Sequence, residues 1–355
     1  MRIAPTALLF LVCAAAAQKA GPADSAFSGA VSDLKQGHFA DAEAGFRKVT
    51  DIEPDHVRGF LGVTQVYMAH QKSDEALMYL RKQVERLPDR LDLQVLLSDT
   101  EVRAGNLDVS PSILQNVLNR LDPKASAELD IPRGAAGGTM YRSSAANPLA
   151  ESLQVLTGRD LTPKGAAGIH VRLAELFRLR NDHASAIAEW EKSSSLLPRT
   201  SWILANLALE QESGGKRLDA MKSYRESLAA FPDTPLVLNN LAFLIAETGG
   251  DLFEAMRLAR RAETLAPGSV DVLDTQGWIA LKQDFLDDAT GTFQRVVEKA
   301  PGNPEFRKHL AMALIKRNIH SPAIDELVKA LDSPPVPGDE GKILALLQSA
   351  AMKRP

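Results

Sequence analysis

The chain has 355 residues, enough for two or more domains. Hydrophobic residues make up 45% of it but aromatic residues only 5%, so alanine and leucine dominate and favour packed helices over sheets. The formal net charge is -4, with 41 basic and 45 acidic residues interspersed, so no basic block indicates a nucleic-acid partner.

The first 17 residues have the pattern of a signal peptide. The basic residue Arg2 precedes an apolar run, and Ala15 and Ala17 match a signal-peptidase site with cleavage before Gln18. We therefore expect residues 1–17 to be removed and the mature protein to be exported, either periplasmic or secreted. The apolar run is too short for a permanent membrane span and no later segment exceeds it, so no integral membrane segment is expected in the mature chain.

Two alternatives for the N-terminus remain open. The signal can stay uncleaved as a membrane anchor, or Cys13 can carry a lipid, although Val12 stands where lipidation prefers a small residue. Cys13 is the only cysteine. Cleavage after Ala17 would leave a mature chain without disulfides or thiolate metal sites.

A period of 34 or 35 residues follows. Prolines recur at this spacing in two groups: Pro54 and Pro88, then Pro198, Pro232, Pro267, Pro301 and Pro335. An alanine lies twelve residues before each of them: Ala42, Ala76, Ala186, Ala220, Ala255, Ala289 and Ala323. Four residues later comes a bulky apolar residue in six cases (Phe46, Leu80, Trp190, Tyr224, Phe293 and Leu327), while Ala259 is the exception.

These residue types predict pairs of packed helices. Small residues let two antiparallel helices approach, large residues fill the gap to the next pair, and proline cannot continue the preceding helix. A single pair cannot bury its own apolar side, so successive pairs must stack.

A second motif, Leu-Ala or Gln-Gly followed three residues later by an apolar residue, precedes four of these alanines. It begins at Leu173, Leu241, Gln276 and Leu310. With the alanine and proline pattern it resembles the tetratricopeptide-repeat (TPR) family over most of the mature chain. The resemblance implies an all-α, right-handed superhelical solenoid of about seven or eight antiparallel helix pairs. In this family, ligands usually lie on the concave surface, which the first helix of each pair lines.

The repeat frame predicts the domain organisation. Its segments are an N-terminal block of three repeats (23–124), an insertion or linker (125–165), a C-terminal block of five repeats (166–335) and a capping helix with a tail (338–355). The third repeat is degenerate because Pro111 stands where the alanine belongs. The insertion is interpreted as a mobile connection, with a lid or a decayed repeat closing on a groove as the alternative.

The same frame, carried over from the family, places a set of side chains in the groove. They are Trp202, Leu209, Asn239, Phe243, Asp274, Trp278, Lys282, Lys308, Met312 and Ile315. Lys316, with Glu175 and Arg178 upstream, would add charges, and the N-terminal block offers a weaker set in Leu61, Gln65 and Met68. The alternative is that the three aromatic residues simply pack between neighbouring helices.

No motif for chemistry accompanies the repeats. The chain lacks H-E-x-x-H, G-x-S-x-G and G-x-x-x-x-G-K-[ST], so no catalytic residue, metal ligand or cofactor is predicted. We expect a non-catalytic protein–protein interaction scaffold of the periplasm or cell envelope that binds a peptide or helix in the concave groove.

The alternative function is an accessory subunit of an envelope enzyme or of a complex that assembles exopolysaccharide or surface proteins. Residues 238–242, 272–278 and 308–311 resemble exported bacterial TPR proteins, some of which are linked to such assemblies.

Overall fold

The computed structural model describes residues 21–121, 165–332 and 340–352, and these form helices joined by short turns, with no strand among them. The chain divides into two compact units, Met1–Ile169 and His170–Pro355. The predicted signal peptide, and the predicted insertion apart from Gly165, lie outside the described residues, as does Pro335.

The first unit contains three successive helix pairs. Its helices are α1 (Pro22–Lys35), α2 (Phe39–Ile52), α3 (Val57–Ala69), α4 (Ser73–Arg86), α5 (Leu91–Arg103) and α6 (Ser110–Arg120). Each helix packs on the next one along the chain.

The second unit repeats this arrangement, starting with α7, which begins just before the division between the units. Its helices are α7 (Gly165–Leu179), α8 (His183–Leu196), α9 (Ser201–Ser213), α10 (Arg217–Ala230), α11 (Pro235–Glu247), α12 (Leu252–Leu265), α13 (Val270–Lys282), α14 (Leu286–Lys299), α15 (Pro304–Lys316), α16 (His320–Leu331) and α17 (Glu340–Met352). The odd-numbered helices α7 to α15 are the first helices of five pairs, and α17 packs on α16.

The periodic prolines set the ends of the second helices. Helix α2 ends at Ile52, two residues before Pro54, and α14 ends at Lys299, two residues before Pro301. The other four described second helices that precede a periodic proline end at the same distance from it. Proline disfavours the α conformation in the residue before it, so the helix stops there.

The turn inside each pair depends on one residue with positive φ, which recurs with the same period: Gly37, Gln71, Gly105, Asn181, Gly215, Gly249, Asp284 and Asn318. The next residue then donates back to the end of the first helix, as when the Lys72 amide donates to the Tyr67 carbonyl at 2.9 Å. Glycine adopts this conformation readily, whereas the other residue types adopt it at a cost in free energy.

Small residues mark the close approaches in the core. All seven periodic alanines have no exposed surface. At Gly277 a Cβ would come within 2.8 Å of the Phe293 ring, and at Gly62 within 2.2 Å of the Phe46 ring. The helices therefore approach as the sequence pattern requires, and the predicted all-α solenoid of helix pairs is confirmed.

Candidate binding face on the first helices

The ten predicted groove residues all lie on first helices of the second unit, α9, α11, α13 and α15. Four of them, Leu209, Phe243, Trp278 and Met312, lie 34 or 35 residues apart and occupy the same repeat position. Helix α13 packs on both α11 and α15, so equivalent positions on these helices are neighbours. We call the ten residues together the first-helix face.

The structure divides this face by exposure. Trp202, Leu209 and Lys282 are exposed to solvent, with 38% of Trp202 and 37% of Leu209 accessible. Phe243, Met312 and Ile315 are half-buried and pack against the core. The remaining four are buried: Asn239, Asp274, Trp278 and Lys308. The role of these ten residues in binding stays a prediction.

Trp278 is the centre of a cluster that joins α11, α13 and α15. Its ring lies 4.7 Å from the His309 ring and 6.2 Å from the Phe243 ring, measured between centroids. The Lys282 Nζ sits 4.8 Å from the Trp278 ring centroid, a cation–π distance. Its indole N–H donates to Glu247 at 2.8 Å, and Glu247 also pairs with Lys282 at 3.0 Å. These four side chains contact the indole and fix its position.

Glu247 carries a pKa below its ordinary value. Burial alone raises this pKa, but the hydrogen bonds from Lys282 and Trp278 outweigh burial and lower it. Glu247 is therefore ionised at neutral pH and completes a bridge between α11 and α13.

A second polar pair lies deeper in the same cluster. His309 Nδ1 is 3.0 Å from both carboxylate oxygens of Asp274, and both side chains are buried. Burial raises the pKa of Asp274, and the contact with His309 offsets part of that rise. The carboxylate of Glu305 approaches His309 Nε2 at 3.9 Å and Lys308 Nζ at 3.6 Å.

Sequence reasoning missed Glu247 and His309 as members of the site. Glu247 lies 35 residues before Lys282 at the same repeat position, so opposite charges on successive first helices were the available signal. His309 also follows Asp274 by 35 residues, although one position further into its repeat. One-period spacings between opposite or complementary groups thus point to contacts in a stacked fold.

Asn239 has a different environment. Its side chain is buried on α11, and its Oδ1 accepts no hydrogen bond from any of the described residues. An unsatisfied buried acceptor costs about 1–3 kcal/mol.

The charges expected at the edges of the face have partners within the protein. Arg178 donates to Glu175 at 2.6 Å, and Lys316 Nζ lies 2.8 Å from Asp284. Burial raises the pKa of Glu175, although Arg178 acts in the opposite direction.

The corresponding residues of the first unit are mostly enclosed. Leu61 and Gln65 are buried, Met68 is half-buried, and Gln65 accepts a hydrogen bond from Arg103 at 2.8 Å. The second unit therefore offers the more accessible first-helix surface.

Metal binding and membrane spanning each require a recognisable arrangement of residues. Across 21–121, 165–332 and 340–352, no three His, Cys, Asp or Glu side chains gather closely enough to hold a metal ion. None of the helices in these ranges combines the length and apolar character of a membrane span.

Comparison with known proteins identifies the repeats. A tetratricopeptide-repeat family model matches residues 275–340, which include Trp278, Lys308 and Met312. The TPR repeat-containing protein PA4667 of Pseudomonas aeruginosa is 32% identical over 89 residues, which cover 25% of this chain and 15% of that protein. Residues 275–340 are therefore similar to tetratricopeptide repeats.

Solved structures of other proteins are similar in fold to this chain. A tetratricopeptide repeat protein from Parabacteroides merdae aligns with a TM-score of 0.55 and 15% identity, over 75% of this chain and 91% of that one. A chain of the APC/C hetero-tetramer Cut9–Hcn1 aligns with a TM-score of 0.51 and 15% identity, over 92% of this chain and 54% of that one. At 15% identity, these two likenesses show a shared fold of stacked helix pairs.

Proposed function

We propose that this protein is a non-catalytic scaffold of the periplasm or cell envelope that holds an apolar peptide segment of a protein partner against α9 and α11. The observation that carries the proposal is an exposed apolar stripe on these two first helices. The stripe consists of three exposed side chains, Trp202 and Leu209 on α9 and Leu236 on α11, together with the half-buried Phe243 on α11.

The stripe follows from helix geometry and from the repeat period. Trp202 and Leu209 are seven residues apart, close to two helical turns, so they project from the same side of α9. Leu236 and Phe243 repeat this spacing 34 residues later. Helices α9 and α11 both pack on α10, and the equivalence of their repeat positions supports one surface for the four side chains.

Trp202 has the features of a binding anchor. Its ring meets the ring of the buried Trp190 edge-on, at 6.2 Å between centroids and an angle of 89°. That contact holds the indole in place while 38% of the residue stays accessible. Tryptophan is enriched among the residues that contribute most to binding, because a rigid ring buries a large area at little entropic cost.

Asn239 supplies a polar group within the stripe. It lies three residues after Leu236 and four before Phe243, spacings that share one helix face. Its Oδ1 has no partner among the described residues but is enclosed by the protein, so a main-chain N–H of the ligand reaches it only when the Asn239 side chain turns outward. A peptide offers this donor beside apolar side chains, whereas a purely apolar ligand does not.

The charged part of the face, around Trp278, contributes less to this proposal. Lys282 and Glu247 already pair with each other, and Trp278 is buried beneath them. Replacing Trp278 would disturb packing as well as any ligand contact. The stripe on α9 and α11 is therefore the sharper target for mutation.

Binding is tested with the double variant Trp202→Ala, Leu209→Ala. Its matched control is Leu218→Ala, Phe253→Ala, which removes two apolar side chains that are 77% and 80% exposed on the second helices. Partners are captured from envelope extract by cross-linking, the cross-linked segment is identified, and the affinity of the synthetic segment is measured. Truncating two anchor residues is expected to weaken binding at least about tenfold.

The control variant is expected to bind like the unaltered protein. Equal affinity of the Trp202→Ala, Leu209→Ala variant, or cross-links that fall only on second helices, would refute the stripe as the binding surface. Circular dichroism and melting curves of both variants establish that the fold is retained.

Export is tested in the native host. The signal-peptide pattern of residues 1–17 supports a mature protein that begins at Gln18 and is recovered from the envelope fraction. Cytosolic protein that retains residues 1–17 would contradict the proposed location while leaving the binding stripe to its own test.

A further inference from the structure

A cavity of about 360 Å³ lies between the second helices α10 and α12, over the first helix α11. None of the ten residues of the first-helix face lines it. Its floor is apolar and is formed by Leu228, Leu238, Leu241 and Leu258. Arg225, Arg257 and Arg261 stand among the lining residues, with Glu254 as the only acid in the lining.

The arginines are incompletely neutralised. Arg225 reaches Glu254 at 3.3 Å, and Arg261 pairs at 2.5 Å with Asp233, whose side chain is 65% exposed. Exposed pairs of this kind are weak and exchange readily with water. Arg257 forms no ion pair with any carboxylate in the described part of the chain.

We propose that this cavity binds an acidic peptide segment of a protein partner, with a leucine-sized side chain on the leucine floor and flanking carboxylates on Arg257 and Arg225. Guanidinium groups pair with carboxylates through charge-assisted hydrogen bonds. The apolar floor also favours a ligand with an apolar side chain, because burying a leucine side chain against it removes apolar surface from water.

The size of the cavity favours a peptide as the occupant. Ligand pockets span about 300–1,000 Å³, and this one is at the lower end of that range. It accommodates one or two side chains rather than a long acyl chain. A short motif in which acidic residues flank leucine meets both the volume and the charge of the site.

The arrangement is specific to this pair of repeats. One period after Arg257, the equivalent residue on α14 is Gly291, and the residue equivalent to Arg225 at that interface is Arg260. The interface between α12 and α14 therefore lacks the arginine that corresponds to Arg257.

The test uses a fluorescein-labelled peptide, GSDLEDLEGS, whose anisotropy is followed as the full chain is titrated. Saturable binding is expected, and Arg257→Glu is expected to weaken it at least about tenfold through loss of the charge-assisted contact. Arg260→Glu is the matched control, because Arg260 is equally exposed on α12, carries the same charge and does not line the cavity. It is expected to change the affinity less than about twofold.

Control peptides separate the two requirements. Lysine in place of the acidic residues, or alanine in place of both leucines, is expected to abolish or sharply weaken binding. The Trp202→Ala, Leu209→Ala variant is expected to bind GSDLEDLEGS normally, which keeps this site distinct from the stripe on α9 and α11.

Several results would overturn the proposal. They are absence of saturable binding, equal losses in Arg257→Glu and Arg260→Glu, or loss of binding in the Trp202→Ala, Leu209→Ala variant. Sedimentation with phosphatidylglycerol vesicles that depends on Arg257 while the peptide does not bind would assign the cavity to an anionic lipid instead.

Discussion

Phe293 is the side chain whose removal tests the packing beneath the candidate face most directly. It is fully buried, lies against Gly277 of its own repeat, and its ring is 5.7 Å from the His309 ring of the next repeat. Phe293→Ala would leave a cavity between the two pairs. Loss of a buried phenylalanine costs about 3–5 kcal/mol.

Phe253 provides the matched control because it is the same residue type on the preceding second helix but is 80% exposed. Phe253→Ala is expected to change stability by less than about 0.5 kcal/mol. The contrast between the two substitutions isolates burial from any general effect of losing a phenyl ring.

Gly277 gives the reciprocal test. Its Cβ would lie 2.8 to 3.1 Å from three atoms of the Phe293 ring, so Gly277→Ala overpacks the core at a cost of about 1–3 kcal/mol. The higher helix propensity of alanine offsets about 0.8–1.0 kcal/mol of that cost. With Phe293→Ala already present the clash is absent, and the added methyl group should stabilise. The coupling between the two substitutions is therefore expected to be about 1–3 kcal/mol.

The assay is amide hydrogen exchange of α13 and α15, because stacked repeats can open locally. A loss of about 3 kcal/mol lowers the protection of their slowest amides by about two orders of magnitude. Urea unfolding followed by circular dichroism measures the same change globally. Similar results for Phe293→Ala and Phe253→Ala, or additive effects of Gly277→Ala and Phe293→Ala, would refute the packing described here.

Three further predictions concern charge, hydrogen bonding and backbone strain. Burial raises the pKa of Glu175 despite Arg178, so the ionised carboxylate lowers the stability of the fold above that pKa. Glu175→Gln should therefore raise the urea midpoint at pH 7 but not below pH 4.5. A larger gain below pH 4.5 than at pH 7 would contradict this. Trp278→Phe removes the hydrogen bond to the partly exposed Glu247 and should cost about 1 kcal/mol in urea unfolding, with no loss disproving that role. Gln71→Gly relieves a φ of 60° and should raise the stability of the first unit by about 0.5–1 kcal/mol in thermal melts, whereas destabilisation would show that the turn is not strained.

Much of the fold was predictable because it depends on local rules repeated with one period. Pro54 and its equivalents predicted where second helices end, and Ala42 and its equivalents predicted where two helices approach. Each of these effects needs only neighbours along the helix or the facing helix of the same pair. A single-sequence pattern contains that information directly.

Some turns followed the period without sharing a residue type. Gly37 and Gly105 adopt positive φ with the residue type that does so readily, whereas Gln71 and Asp284 adopt the same positive φ without glycine. The period predicts the position of such a turn. The free energy gained when the two helices pack compensates for the cost of positive φ in a residue other than glycine.

Functional residues were predicted less completely. The repeat frame correctly placed Trp202 and Trp278 on first helices. It predicted both side chains in the groove, but Trp202 is exposed whereas Trp278 is buried. Exposure depends on the volume of the side chains on the adjacent helices. Phe243, Lys282 and His309 enclose Trp278, whereas Trp202 stays 38% exposed among the described residues.

The sequence by itself therefore determined that helices pair, where the second helices end and which helix of each pair carries the candidate face. The tertiary structure decided which residues of that face meet solvent, that Asp274 meets His309, and that three arginines gather over a leucine floor. These features depend on side chains from two or three helices, roughly one repeat period apart, and their contacts are set by the rotation and spacing of the helices as they pack.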